Sequence, residues 1–271
     1  CLMPKNEDFR LKWSESLIPY TQPIYQIQKN GMQITCSHYE VLARYNSKKT
    51  LQPSVIFDWA TGPEIVTVFE NLIYKSKHLF GYKNFSFNLT LDAVGDKDLF
   101  ERILSTILRV SENERGSISI ELTEQFSEHQ SYKLPQLNKH LQELNSLGIE
   151  VALDDFGVDS SNFDRIEALS NTISTIKIDK FLLKNISINQ KSCQYNHRLK
   201  SLIELMGSMP SVKAFVFEGV ETKAQLDVCK QISIDLPKIK IMVQGYYFSM
   251  PVPAEELSIK TETKIRKMVL S

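Results

Sequence analysis

The sequence predicts an α/β chain folded as a TIM-like (β/α)8 barrel, and three observations lead there. From about residue 33 to about residue 250, short β-rich runs alternate with longer helical patterns, which is the rhythm of β/α units. The length, 271 residues, exceeds the commonest domain size but suits one barrel with one core. Polar residues recur at the C-terminal ends of the strand-like runs, where a barrel keeps its binding groups and turns alone would not require them.

The strand-like runs are Ile34 to Arg44, Phe85 to Leu89, Ser117 to Leu122, Glu150 to Phe156, Thr175 to Asp179, Lys213 to Glu218 and Ile241 to Phe248. Between them lie helical patterns at Pro63 to Lys77, Asp98 to Val110, Lys133 to Leu147, Phe163 to Ser170, His197 to Met209 and Lys223 to Gln231. Leu134, Leu137, Leu141, Leu144 and Leu147 recur every three or four residues and stop before Gly148, so that helix packs one face on a sheet and ends where glycine allows. Gly62-Pro63 opens another helix with proline in its first turn, and Glu221-Thr222 precedes the one at Lys223. Leu2 to Ser16 is a polar stretch, and Lys184 to Asn196 reads as a polar loop. Because the chain begins with Cys1, residues 1–18 are expected to be a lead-in from a longer protein. The domain itself is expected to occupy 19–255, with a C-terminal helix or tail at 256–271.

Apolar residues make up 42% and charged residues 24%, ordinary for a water-soluble domain, and 32 basic residues balance 32 acidic ones. Neither a basic tail for a nucleic acid polymer nor a membrane-surface patch announces itself, so an anionic ligand must be held by local chemistry. No run of about 18 apolar residues occurs and the N-terminus lacks a signal pattern, so the expected compartment is the cytosol. Cys1, Cys36, Cys193 and Cys229 are too scattered for a disulfide framework or a CxxC site and read as reduced thiols, with Cys36 in the core.

Asn88 ends one strand-like run, Glu121 the next and Asp154 with Asp155 another; Lys177 and Asp179, Glu218 and Gln244 follow, and Glu40 lies within the first. Side chains alternate along a strand, so Ser86, Ser119, Ala152, Thr175, Val216 and Met242 share the faces of these groups; they are mostly small or uncharged, as an interior beneath a polar mouth requires. A single strand-end carboxylate is usually a cap or a surface charge. Glu40, Asn88, Glu121, Asp154 and Asp155 together would put four carboxylates and an amide oxygen in one pocket, which self-repulsion forbids without cations. An all-oxygen set favours Mg²⁺ or Mn²⁺ over zinc, and two such ions roughly 4 Å apart can clamp the attacking and leaving oxygens of a phosphodiester. Metal-assisted phosphodiester hydrolysis is the expected chemistry. His38 shares a face with Glu40 but is read as a satisfied polar group.

The motifs Glu40-Val41-Leu42-Ala43-Arg44, Asn88 in FNLT, Glu121-Leu122-Thr123-Glu124, Asp154-Asp155-Phe156-Gly157, Lys177-Ile178-Asp179, Glu218-Gly219-Val220-Glu221-Thr222 and Gln244-Gly245-Tyr246-Tyr247-Phe248 fall in a fixed order. In that order the chain resembles the EAL-domain cyclic di-GMP phosphodiesterases over roughly residues 19 to 255. The resemblance implies a barrel whose first strand is antiparallel to the rest, and hydrolysis of cyclic di-GMP to linear pGpG. It implies Glu40, Asn88, Glu121 and Asp154 around one ion, with Asp154 shared and Asp155 on a second. Glu218 resembles a general base or a ligand to the water-bearing metal, and Lys177 a contact to the nucleophilic water or the phosphate. Arg44 resembles a phosphate-gripping arginine, a task its planar fork suits. Gln22, Leu42 and Asp179 would line the substrate cleft, while Glu221 and Gln244 support the site and Glu124 anchors the loop after Asp155. Two Mg²⁺ or Mn²⁺ ions per site are implied, with Ca²⁺ binding but inhibitory. A homodimer pairing near that loop and an upstream sensory or membrane domain are implied too.

The first motif reads EVL rather than EAL, which leaves Glu40 and Leu42 in place. After DDFG the chain reads Val158, Asp159, Ser160, Ser161, Asn162, where the family has a small residue, Gly, Tyr and two serines. A less firmly held loop, and a higher Mg²⁺ requirement, are expected from that departure. The complete ligand set favours an active enzyme; a catalytically silent cyclic di-GMP receptor and a protein-binding effector stand as alternatives.

Overall fold

The structure, a computed structural model, describes residues 16–29, 31, 33–45, 60, 62–80, 83–123, 133–156, 162–184 and 197–257. Its strands are β1 Leu17–Ile27, β2 Ile34–Tyr45, β3 Phe85–Thr90, β4 Ile118–Thr123, β5 Glu150–Phe156, β6 Thr175–Ile178, β7 Ala214–Phe217, β8 Lys240–Val243 and β9 Val252–Pro253. Strands β2 to β8 pair in sequence order and parallel. β1 closes the eight-stranded barrel by pairing antiparallel with both β2 and β8, and β9 adds a short antiparallel flank to β1.

The antiparallel strand is therefore Leu17–Ile27, which precedes the run at Ile34 that the sequence reads as the first strand; that run is β2 and lies parallel to β3. Pro19 and Pro23 hide β1, because proline cannot donate to a ladder and argues against a central strand. The fold tolerates them. β1 meets β8 only at Tyr25 and Gln26 and β9 only at Tyr20 and Thr21, so its second edge needs few backbone donors where the prolines lie. A second correction concerns Ile241 to Phe248, where β8 stops at Val243 and the chain turns. A Cβ on Gly245 would overlap the Val220 backbone, whose N–H donates to the Gln244 carbonyl at 2.9 Å. Only glycine permits that approach.

The expected helices appear as α1 Gly62–Ser76, α3 Lys97–Leu108, α5 Leu134–Ser146, α6 Asn162–Leu169, α8 His197–Gly207 and α9 Lys223–Asp235. Three short ones, α2 Leu91–Gly95, α4 Glu112–Arg115 and α7 Lys180–Lys184, are too brief to show a period in sequence. Leu137, Leu141 and Leu144 of α5 are buried as their spacing predicts. Past its end, Gly148 N–H donates to the Asn145 carbonyl and Ile149 N–H to the Leu144 carbonyl, a Schellman stop. Thr222 and Gln225 form a reciprocal capping box on α9.

Strand alternation then divides the interior. Outward-facing Phe85, Phe87, Ile120, Leu122, Ile176, Phe215 and Ile241 are buried in the main core, each contributing about 1.5–3 kcal/mol. Ile24, Ala214, Val216 and Met242 form a separate small cluster. The inward faces above that cluster carry the polar groups.

Candidate active site at the barrel mouth

Glu40 on β2, Asn88 on β3, Glu121 on β4, Asp154 on β5 and Lys177 on β6 converge with Glu218 and Gln244, which follow β7 and β8. Register brings β1 in as well, with Gln22 opposite Glu40, just as Asn88 pairs across from Glu121. Lys177, 1% exposed, occupies the centre: its Nζ lies 2.5 Å from Glu121 Oε2, 2.8 Å from Glu218 Oε1, 3.1 Å from Asp154 Oδ1 and 3.9 Å from Glu40 Oε2. Glu40 is held from both sides, accepting from Asn88 Nδ2 at 2.8 Å and from Gln244 Nε2 at 2.7 Å. Gln244 also donates to Gln22 Oε1 at 3.2 Å, and Gln22 donates to the Ser249 carbonyl at 3.0 Å, so the turn after β8 is tied to β1 through the site.

Asp154 and Asp155 are consecutive, and a regular strand would point them to opposite faces. Here β5 loses register between Leu153 and Phe156, and Asp155 takes a left-handed backbone, φ 56°, with its N–H donating to Asp154 Oδ1 at 3.0 Å. Asp tolerates that conformation better than most residues, and such local strain concentrates at functional sites. The outcome is that single oxygens of Asp154, Asp155 and Glu218 lie within 4.8 Å of one another.

Burial and mutual repulsion set the charges. Burial pushes Glu121 up to about 8 against the pull of Lys177, and Asp155 up to about 6, helped by Asp154. Burial likewise raises Asp154 and lifts Glu218 well above the ordinary carboxylate range. Glu40 goes the other way: burial would raise it, but Lys177 and the hydrogen bonds from Gln244 and Asn88 hold it below its usual value. Burial alone would lower Lys177, yet Asp154, Glu121, Glu218 and Glu40 hold it well above. One ammonium among so many carboxylates leaves an excess of negative charge that protons must offset in the absence of other cations.

This donor set fits hard divalent cations. Asn88 spends its amide N–H on Glu40 and leaves Oδ1 buried with no partner among the described residues, and Gln244 Oε1 is in the same state. All the converging acceptors are oxygens.

Beside the carboxylates lies a cleft of about 310 Å³ lined by Gln22, Glu40, Leu42, Arg44, Asp179, Glu218, Glu221 and Gln244. Arg44 donates to the Ala43 carbonyl and sits 5.7 Å from the centroid of the Tyr20 ring; burial lowers its pKa, with Glu40 opposing. Asp179 Oδ1 accepts the Phe181 N–H at 2.7 Å, which fixes the start of α7. Lys180, Tyr246 and Pro251 line the cleft too and escape the sequence reading, although Lys180 adjoins Asp179 and Tyr246 belongs to the Gln244 motif. Gly219, φ 59°, follows Glu218 and packs against the Lys180 side chain, where a Cβ would stand 2.5 Å from another carbon. Glu124 and residues 157–161, including most of the divergent loop, lie outside the described residues.

A family model described as EAL domain matches residues 9–251. Among curated relatives, the oxygen sensor protein DosP of Escherichia coli (strain K12) is 32% identical over 143 residues, covering 52% of this chain and 16% of its own length. The chain thus corresponds to a small part of that relative. Among solved structures, the PaMucR phosphodiesterase in complex with c-di-GMP superposes with TM-score 0.70 at 21% identity, covering 93% of this chain and 97% of that one. The Bacillus subtilis YkuI protein, with an EAL domain, in complex with substrate c-di-GMP and calcium, gives 0.68 at 21% identity over 98% of this chain and 64% of that one. At such identity these two speak for the fold. With the family model spanning the barrel and its mouth, the chain belongs to the EAL domain family.

Proposed function

We propose that the chain hydrolyses cyclic di-GMP to linear pGpG with two Mg²⁺ or Mn²⁺ ions. The observation that carries this reading is the approach of Asp154, Asp155 and Glu218 to within 4.8 Å beside a cleft containing Arg44. The c-di-GMP complexes of PaMucR and YkuI, and the calcium of the latter, support it by likeness. Glu40, Asn88, Glu121 and Asp154 would hold one ion and Asp154 with Asp155 the other. Such ions, when bound, acidify water and offset charge developing on a phosphodiester.

The chain's own residues do the rest. Arg44 grips a non-reacting phosphate, while Gln22, Leu42 and Asp179 shape the cleft around the nucleotide. Glu218, which lies 2.8 Å from Lys177 and within 4.8 Å of Asp154 and Asp155, takes a proton as water attacks phosphorus. The P–O3′ bond breaks and the leaving 3′ oxygen takes a proton from solvent water. Lys177, 2.8 Å from Glu218, steadies that carboxylate and the charge beside it. Gln244 and Gln22 keep Glu40 in place through their hydrogen bonds. A domain at 19–255, Glu124 and Glu221 as supports, a homodimer, a cytosolic setting and an upstream input domain complete the proposal on the family resemblance.

The test is to incubate purified chain with cyclic di-GMP and Mg²⁺ or Mn²⁺ and look for pGpG by chromatography. Chelator should abolish turnover, and Ca²⁺ should bind without supporting it. Glu218→Gln should lower kcat by several orders of magnitude and change affinity far less. Tight binding without product would identify a silent receptor, and neither would point to a protein-binding effector.

A further inference from the structure

The cleft holds a lysine that the hydrolytic chemistry leaves idle. Lys180 opens α7 directly after Asp179 and lines the cleft together with Arg44, Glu221 and Tyr246. Its course is set by Gly219, which lines the same cleft with a left-handed backbone, φ 59°. From the point where a Cβ on Gly219 would stand, Lys180 Cβ is 2.5 Å away, its Cδ 3.1 Å and its Cγ 3.3 Å. The aliphatic stem therefore runs along that glycine, and any side chain in place of Gly219 would push it aside. The ammonium is carried along the cleft wall and makes no ion pair with a described residue.

The charges around it favour one kind of ligand. Glu40, Asp179, Glu218 and Glu221 line the cleft against Arg44 and Lys180, and with Glu40 and Glu218 turned to the ions, two carboxylates remain beside two cations. That balance suits a neutral polar edge, with donors and acceptors side by side, better than a second phosphate. Asp179 supplies the acceptor half: its Oδ1 takes the Phe181 N–H at 2.7 Å, while its Oδ2 has no hydrogen bond to a described residue. Tyr246, 60% exposed in the same cleft, brings an aromatic ring on which a flat base can stack.

We propose that Lys180 selects guanine over adenine in the bound dinucleotide, its ammonium donating to O6 while the neighbouring Asp179 carboxylate accepts from N1–H and the 2-amino group, a role that rests on the dinucleotide occupying this cleft. A lysine only donates and an ionised carboxylate only accepts. Guanine answers both along one edge. Adenine carries an amino donor in place of O6 and a bare N1 in place of N1–H, so both contacts turn repulsive.

The test measures binding of cyclic di-GMP and cyclic di-AMP to the full chain by calorimetry with Ca²⁺ present, and kcat and KM for cyclic di-GMP in Mg²⁺. Lys180→Ala should weaken cyclic di-GMP binding about tenfold without weakening cyclic di-AMP. It should raise KM by a similar factor and keep kcat within about twofold. Lys180→Gln supplies an acceptor for the adenine amino group and should narrow the preference further. Lys180 is exposed, so both variants should keep the wild-type melting temperature. Equal weakening of the two ligands would make Lys180 a phosphate contact and overturn the proposal, as would a guanine preference that is absent from the wild type or unmoved by either change. Wild-type chain that binds neither dinucleotide would overturn the reading of the whole mouth, whereas normal cyclic di-GMP binding with an unmoved preference strikes Lys180 alone.

Discussion

The barrel mouth and the aromatic flank between α1 and β3 are both buried and oppositely built. On the flank, the Phe69 ring meets Phe87 edge-on at 5.9 Å, and Phe80 stands 5.8 Å from Phe85 and 6.2 Å from Phe87. Those contacts join dispersion to area burial and ask for no counter-charge. At the mouth, Glu40, Glu121, Lys177 and Gln244 are just as hidden, but the carboxylates outnumber the one ammonium, and Glu121, Asp154 and Glu218 are held above their ordinary pKa. The flank makes the protein stable, and the mouth is kept poised at a cost that cations can relieve.

Replacing one residue from each region separates the two most widely. Phe87→Ala should cost about 3–5 kcal/mol in denaturant unfolding, whatever ions are present. Lys177→Met strips the carboxylates of their internal cation and should cost a similar amount, about 3–5 kcal/mol, in chelator above neutral pH. Millimolar Mg²⁺ should recover much of the second loss and none of the first. Equal recovery in both variants would break the contrast.

A smaller effect follows from Glu121. Its folded pKa, about 8, lies above its ordinary value of 4.5, chiefly through burial. The stability contributed by such a raised carboxyl is fully present below about pH 4.5 and is lost as pH rises through about 8. In chelator, then, the melting temperature should fall across that window. Divalent cations should flatten the fall, and so should Glu121→Gln without any cation. An unchanged slope in Glu121→Gln would reassign the titration to another group.

The least effect belongs to a place that neither region controls. Thr222→Ala removes the capping-box hydroxyl of α9 and should cost about 1 kcal/mol, independent of pH and of cations. A cation-dependent loss there would mean that the helix start after Glu221 is coupled to the mouth.

Much of the site is legible in the chain because barrel strands present their C-terminal ends to one place. Asn88, Glu121, Asp154, Lys177, Glu218 and Gln244 each mark such an end, and each reaches the mouth. Arg44 and Asp179 are found beside them in the cleft. Local pattern also suffices for most of α5, where Leu137, Leu141 and Leu144 are buried and Gly148 marks the stop, whereas Leu134 in its first turn is exposed. Lys180 and Tyr246 give no comparable local signal, since a lysine or tyrosine in a turn is ordinarily a solvated side chain.

Residue order and type alone determine the β/α rhythm, the oxygen-rich inventory of candidate ligands and the six longer helices, because each is written in the residues themselves or in neighbours a few positions away. Tertiary structure alone decides that Leu17–Ile27 is a strand, since two prolines contradict it locally and only pairing with β2 and β8 supports it. It decides as well that Gln22 stands opposite Glu40 and that Gln244, 204 residues further on, donates to the same carboxylate. The left-handed turn at Asp155, which brings two consecutive aspartates close to Glu218, belongs to the same class. All of these arise where closing the ring fixes the register of strands far apart in the chain, and no local preference encodes that closure.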